Sequence, residues 1–355
     1  MGRMIDGIVE RGEIGGRTVQ ILETGEAECG TYPAPQPKDG QVLVKTVRSA
    51  ISPGTEMTFY GKDASNVYLH KTWDNELRIF RPGAPSMEYP VTSGYRASGE
   101  VVESRVEGIL VGTRVYGNWR HTEFTLRDAS VGGQRLPGSL SHDDGVDIAQ
   151  MGPICVNLVA FGEGQHNGHP AVVFGAGLVG LITAQVVRAT GASVVYVVDR
   201  LPNRLAIADS LGFVPIDASG ENDVAYQLKK EHGSEGIPVA FECTGSTYAL
   251  NEAIRVVKRR GIVVAAGFFQ GEGKGLILGD EFHHNGVQVI CGQIGNIHPA
   301  WSWHLLRQRT IELAVAGGLV LGGLPRTTLP VERVAEGFAA LTRPTEHLQT
   351  VLTYE

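Results

Sequence analysis

The sequence runs to 355 residues, room for about two domains at ~150 residues each, and carries 31 Lys and Arg against 38 Asp and Glu, a net charge of −7. That acidic balance argues against nucleic acid or an anionic membrane surface as the main partner. A hydrophobic content of 42% with 19% charged residues excludes a disordered chain. Glycine is in excess, 47 of 355 with no Gly-X-Y period, so collagen is excluded and many tight turns are expected. The four cysteines, Cys29, Cys155, Cys243 and Cys291, show no C-x-x-C spacing and are too sparse for a disulfide framework. Residues 1–11 lack the apolar run of a secretory signal, and the longest apolar stretch, residues 171–187, falls short of the ~20 residues of a membrane span. A reduced, cytoplasmic protein is expected.

In chain order, the first 152 residues show short β-type runs broken by turns, including 42–44 after Asp39-Gly40, 99–102, and 114–116 before Gly117-Asn118. Such spacing predicts a small, partly closed β unit, with a loop or short helix over 66–90. From about residue 170 the texture alternates. Strand 171–174 ends at Gly175, helix 178–190 stops at Gly191, and strand 194–198 follows. Helix 202–211, a strand near 213–216, helix 221–232, strand 239–243, helix 248–258 and strands 262–266 and 287–291 complete the run. Fully apolar strands joined by amphipathic helices predict a doubly wound parallel sheet of six strands. The tail predicts helices over 301–316 and 331–341 and a last strand, 350–352, returning to the first unit.

One motif carries chemistry. Gly175-Ala176-Gly177-Leu178-Val179-Gly180 is G-x-G-x-x-G directly after a strand and at the start of a helix. Gly175 permits the tight turn, Gly177 lets a pyrophosphate approach the backbone, and Gly180 lets helix and strand pack closely. Asp199 closes the second strand, 24 residues after Gly175, where a carboxylate accepts ribose hydroxyls and repels a 2′-phosphate. The pattern predicts a dinucleotide, with NAD(H) preferred. Arg200 and Arg204 leave NADP(H) open, since an arginine there holds a 2′-phosphate, stacks on adenine, or simply faces solvent.

The order of β unit, G-x-G-x-x-G unit and returning tail resembles the medium-chain dehydrogenase/reductase superfamily, the alcohol dehydrogenase-like proteins. Glu242-Cys243-Thr244-Gly245 resembles the family's E-x-T-G turn beside the cofactor, and Gly267 and Gly292-Gln293 match the turns after the fifth and sixth strands. Ser52-Pro53-Gly54-Thr55-Glu56 and Gly94-Tyr95-Arg96 resemble the two active-site segments, most closely those of a zinc-independent branch that includes bacteriochlorophyllide dehydrogenase-like proteins. The resemblance implies an α/β Rossmann domain over 156–297 and a GroES-like, mainly β catalytic domain over 1–155 and 298–355. It also implies a homodimer or homotetramer, paired through the sheet edge near 287–291.

The departures bear on mechanism. Zinc-dependent members have C-x-[ST]-D and G-H-E, so a cysteine and a histidine ligand are replaced by Pro53 and Tyr95, and only Cys155 remains at the third ligand position. One thiol cannot hold zinc, which needs three or four protein ligands, so no metal is expected. Hydride transfer to or from a carbonyl still needs a group that stabilises or protonates the alkoxide. Thr55, at the position of the zinc enzymes' proton-relaying hydroxyl, Tyr95 and His121 are the candidates, each with a packing or surface role as the alternative. Arg96 and Glu56 are expected to pair with each other. The expected activity is hydride transfer between NAD(P) and a small-molecule alcohol or ketone; reduction of an activated C=C bond and non-catalytic dinucleotide binding are the alternatives.

Overall fold

The computed structural model describes residues 15–62, 64–343 and 347–355, with the backbone of the two-residue strands Met4–Ile5 and Ile8–Val9. The chain divides into two compact units, Met1–Gln150 with Gly322–Glu355, and Met151–Leu321.

In the first unit, the eleven-residue strand Gln41–Ile51 is the spine of the main sheet. It pairs antiparallel with Ala97–Ser104, Phe124–Asp128 and the returning Thr350–Thr353. Gly15–Ile21 with Ala27–Pro33 and Val91–Thr92 forms a second, three-stranded sheet. Val19, Ile21, Ile51, Phe338, Leu352 and Tyr354 fill the core between strands and tail. Of the tail expected over 298–355, only Gly322–Glu355 rejoins the first unit. Residues 66–90 hold more structure than expected: a short 3-10 turn, Val67–Leu69, and a hairpin, Thr72–Asp74 with Ile79–Arg81, around Phe80, which Tyr68 meets edge-on and Trp73 at a tilt. Helix His142–Ala149 was also not anticipated. Its signal is local: Ser141 Oγ caps the Asp144 N–H while Asp144 accepts from the Ser141 N–H.

The second unit is the doubly wound sheet. Its strands lie in the order Val214–Asp217, Val194–Asp199, Pro170–Phe174, Val239–Glu242, Ile262–Ala265, Gln288–Cys291, all parallel. Chain order reverses between Pro170–Phe174 and Val239–Glu242, so a crevice opens at the carboxyl ends of those two strands, where nucleotides bind in such sheets. The domain boundaries expected from sequence need correction. Helices Met151–Ala160 and Trp303–Val315 belong to this unit, not to the first. Gly152 and Thr310 explain it: a Cβ on Gly152 would stand 2.2 Å from Thr310 Cγ2, so the two helices meet at a glycine. Gln185 then anchors the following segment, accepting from the Val320 N–H (2.6 Å) and donating to its carbonyl (3.2 Å). Among the described residues, no helix is long and apolar enough to cross a membrane.

Candidate active site

The second unit's site is built from backbone. Gly175 has φ +101°, in the left-handed region, and a Cβ there would lie 2.8 Å from Thr244 Cγ2. A Cβ on Gly180 would stand 1.7 Å from the Gly175 carbonyl oxygen. Gly177 caps helix Leu178–Ala189 without a side chain, leaving the helix's first N–H groups, which lack intrahelical partners, for an anion. Ala176, Leu178 and Val179 complete the turn, with Ala176 and Leu178 buried. Asp199 lies beside it: Oδ2 accepts from the Ala176 N–H at 2.7 Å, and Oδ1 from Arg200 and Leu201 at 2.7 and 3.0 Å. A carboxylate oxygen has a second lone pair, so Asp199 retains capacity for a ribose hydroxyl. Arg200 is exposed. Arg204 reaches over the turn, Nη1 standing 3.6 Å from where a Gly177 Cβ would be, and its buried Nε has no partner. A glycine cradle with an orphaned guanidinium N–H above it fits a dinucleotide's phosphates.

Glu242 ties the neighbouring turns together. It is fully buried; Oε1 accepts from the Thr244 N–H at 2.6 Å, the Gly245 N–H at 3.1 Å and the Thr244 hydroxyl. Gly267 packs on the same carboxylate: a Cβ there would lie 2.6 Å from Glu242 Oε2. Burial raises the Glu242 carboxyl above its ordinary value despite these donors, and burial together with the Glu242 charge pushes the Cys243 thiol well up. Gly292 is a packing glycine, since a Cβ would stand 2.5 Å from Leu158 Cδ1. Cys155 is buried with Sγ on the Val179 carbonyl at 3.4 Å.

The first unit's candidates meet around a buried network that the sequence reading only half anticipates. Gly94 (φ +100°) lies so close to His121 that a Cβ would stand 2.3 Å from its backbone nitrogen. His121 is fully buried, with Nδ1 at 2.7 Å from Ser49 Oγ and Nε2 at 2.9 Å from Glu56 Oε1. Ser49 Oγ continues to the Tyr354 hydroxyl at 2.8 Å, and Glu56 Oε2 accepts from the Ser52 N–H at 2.7 Å. Both His121 nitrogens are therefore engaged, and a substrate-facing acid–base role for it is corrected to an internal, positioning one. Burial works to raise the Glu56 carboxyl, but His121, the Ser52 N–H and Arg96 outweigh it and hold it below the ordinary value. The expected Arg96–Glu56 pair is corrected too. Arg96 instead bonds Asp147 at 2.7 Å, both fully buried, and donates to the Ala50 and Ile51 carbonyls at 3.2 and 3.0 Å. Half-buried Tyr95 has its phenol near Ser52 and Thr55, which act to lower its pKa, but burial and then the Glu56 charge outweigh them and raise it. Ser49, Asp147 and Tyr354 were missed. Asp147 had a signal, an acid among Val146, Ile148 and Ala149, which demands a buried partner.

The profile of the zinc-binding dehydrogenase family matches residues 179–307. (R,R)-butanediol dehydrogenase of Bacillus subtilis (strain 168) is 30% identical over 246 residues, which cover 59% of this chain and 68% of the relative. This chain belongs to the medium-chain dehydrogenase/reductase superfamily. As a member it is an NAD(P)-dependent oxidoreductase. D-guloside 3-dehydrogenase of Escherichia coli (strain K12) is 26% identical over 298 residues, 79% of this chain and 82% of the relative. The crystal structure of 2R,3R-butanediol dehydrogenase from Bacillus subtilis shares the fold, with a TM-score of 0.77 over 96% of this chain and all of that one, at 21% identity. The zinc implied by the superfamily profile finds a poor donor set here. Pro53 has no side-chain donor, Tyr95 offers only a phenol whose pKa is raised by burial, and the Cys155 thiol is turned onto a carbonyl. Among the described residues, no three His, Cys, Asp or Glu side chains gather as a metal-holding group.

Proposed function

We propose that this medium-chain dehydrogenase/reductase works without zinc, moving a hydride between a nicotinamide cofactor and a small alcohol or ketone. The observation that carries the reading is the replacement of the cysteine and histidine ligand positions by Pro53 and Tyr95, with Ser52 and Thr55 near the Tyr95 phenol. The cofactor would be held by Gly175–Gly180, Asp199, Arg200, Arg204, the turn of Cys243, Thr244 and Gly245, and Gly267, with Gly292, packed on Leu158, shaping the turn after the last strand. When bound, the nicotinamide supplies the hydride donor or acceptor. Tyr95 is placed at the substrate oxygen, donating a hydrogen bond, while Thr55 shares its proton and Glu56 and His121 fix the turn that carries Thr55. Asp199 favours NAD(H) over NADP(H). The exposed edge strand Gln288–Cys291 is the surface we assign to pairing with a second copy, since an uncovered strand edge is otherwise prone to uncontrolled association. Light scattering then shows a dimer or tetramer at micromolar protein; a monomer refutes that assignment.

Turnover of NADH with secondary ketones and with enones tests the chemistry. Ketone reduction that falls by about 10²–10⁴ in Tyr95→Phe, with cofactor affinity retained, supports the reading. Reduction of enones alone, or an unaffected Tyr95→Phe, contradicts it.

A further inference from the structure

The first unit holds a cavity of about 590 Å³ whose wall includes Tyr95, Asn118, Trp119, Arg120, Phe124 and Arg127. Two arginines line it, and among the described residues neither forms an ion pair with an acid, although the Asp128 carboxylate lies within electrostatic range of Arg127. Arg127 lays its guanidinium over the Trp119 ring, 5.9 Å from the centroid, and its buried Nε has no hydrogen-bond partner. Arg120 gives one Nη1 N–H to the Thr92 carbonyl at 2.7 Å. The carboxylates nearby in sequence are already engaged: Asp128 Oδ1 accepts from the Ser130 N–H at 2.8 Å, and Glu123 is held by Arg17 and Lys45. Other arginines of the chain do find acids, as Arg17, Arg96 and Arg255 show.

A guanidinium cannot shed its charge, and a buried N–H left without an acceptor is costly. An arginine over an indole at cation–π distance, with an N–H left unpaired, can still turn that N–H to a carboxylate or phosphate. We propose that this cavity receives the anionic end, carboxylate or phosphate, of the enzyme's small-molecule substrate, with Arg127 and Arg120 as its ligands. The proposal rests on the reading above that Tyr95 serves the substrate oxygen, because Gly94 and Tyr95 form part of the same wall.

Two measurements on the full chain test it. In the first, the side-chain Nε–H signal of Arg127 is followed by NMR while inorganic phosphate is added. A saturable shift, lost in Arg127→Met and weakened in Arg127→Lys, is expected; no saturable shift overturns the proposal. In the second, kcat/KM is compared for matched polyols and polyol monophosphates. The wild type is expected to favour the monophosphates, and Arg127→Met to cut that preference by about ten-fold, the loss of one charged hydrogen bond. Arg127→Lys, which keeps the charge but not the planar fork, falls between and guards against misfolding. Phosphate binding at Arg127 with a substrate preference indifferent to it overturns the substrate assignment and leaves a site for free anions. Neutral alcohols turned over without phosphate binding defeat the cavity proposal alone. Phosphate binding without hydride transfer to any alcohol or ketone defeats the catalytic reading, and the substrate assignment with it.

Discussion

The two units build their sites from different materials. In the second unit the site is glycine and backbone: the tight turn at Gly175, the close approach at Gly180, and an acid, Asp199, bonded to the turn it serves. In the first unit it is side chains brought from afar, Arg96 to Asp147, Glu56 to His121, Ser49 to Tyr354. A backbone site tolerates no added atom, whereas a buried charge network tolerates no missing one. Substitutions should therefore fail in opposite ways in the two units.

The largest effect is expected in the Arg96–Asp147 pair. Asp147→Asn leaves a guanidinium that cannot deprotonate in a dry interior, and should cost about 3–5 kcal/mol of stability by urea unfolding. Arg96→Met should cost less, because burial already raises the Asp147 carboxyl and lets it take a proton instead. Equal losses would show that charge is not what matters there. Next comes Gly180→Ala, whose methyl would press into the Gly175 carbonyl. Calorimetry should show cofactor affinity down by at least about 100-fold, ~2.7 kcal/mol, with the first unit's stability untouched. Retained affinity would mean that the turn does not cradle the cofactor.

A pH profile sharpens the comparison further. The Tyr95 phenol is raised above its ordinary value of 10.0 by burial and by Glu56, so ketone reduction should persist at neutral pH and fail only as pH rises through that raised value. Glu56→Gln removes the negative charge, and the alkaline limb should move to lower pH; a fixed limb would show that Tyr95 is not the titrating donor. The sign for stability is opposite in origin. Glu56 is depressed, so its stabilising contribution is present above the unfolded carboxylate value and lost as pH falls through its lowered folded value. Acid unfolding of Glu56→Gln should consequently be flatter than that of the wild type. The smallest effect is expected at Asp199: Asp199→Ala should shift the NAD-to-NADP preference by about ten-fold toward NADP, and an unchanged ratio would remove Asp199 from ribose recognition.

The same contrast explains what the sequence discloses. The G-x-G-x-x-G turn and Asp199 are read directly, because turn conformation and helix capping are local properties of the residues that encode them. The six parallel strands of the doubly wound sheet follow from apolar runs and helix caps in the same way. The first unit's network is not legible, since nothing near Glu56 names His121 as its partner, 65 residues away. Arg96 and Glu56 look complementary in sequence yet choose other partners, because the long guanidinium reaches the Ala50 and Ile51 carbonyls and the acid of helix His142–Ala149. Helix Trp303–Val315 was assigned to the wrong unit for a related reason: its berth is a glycine, Gly152, and a bare backbone leaves no apolar signal to read.

The central claim is hydride transfer without a metal, and metal content measured on catalytically active protein tests it most directly. The account predicts full NADH-dependent ketone reduction in protein with substoichiometric zinc, unaffected by prolonged chelation. One zinc per chain, with activity lost on its removal and restored on its return, would contradict it.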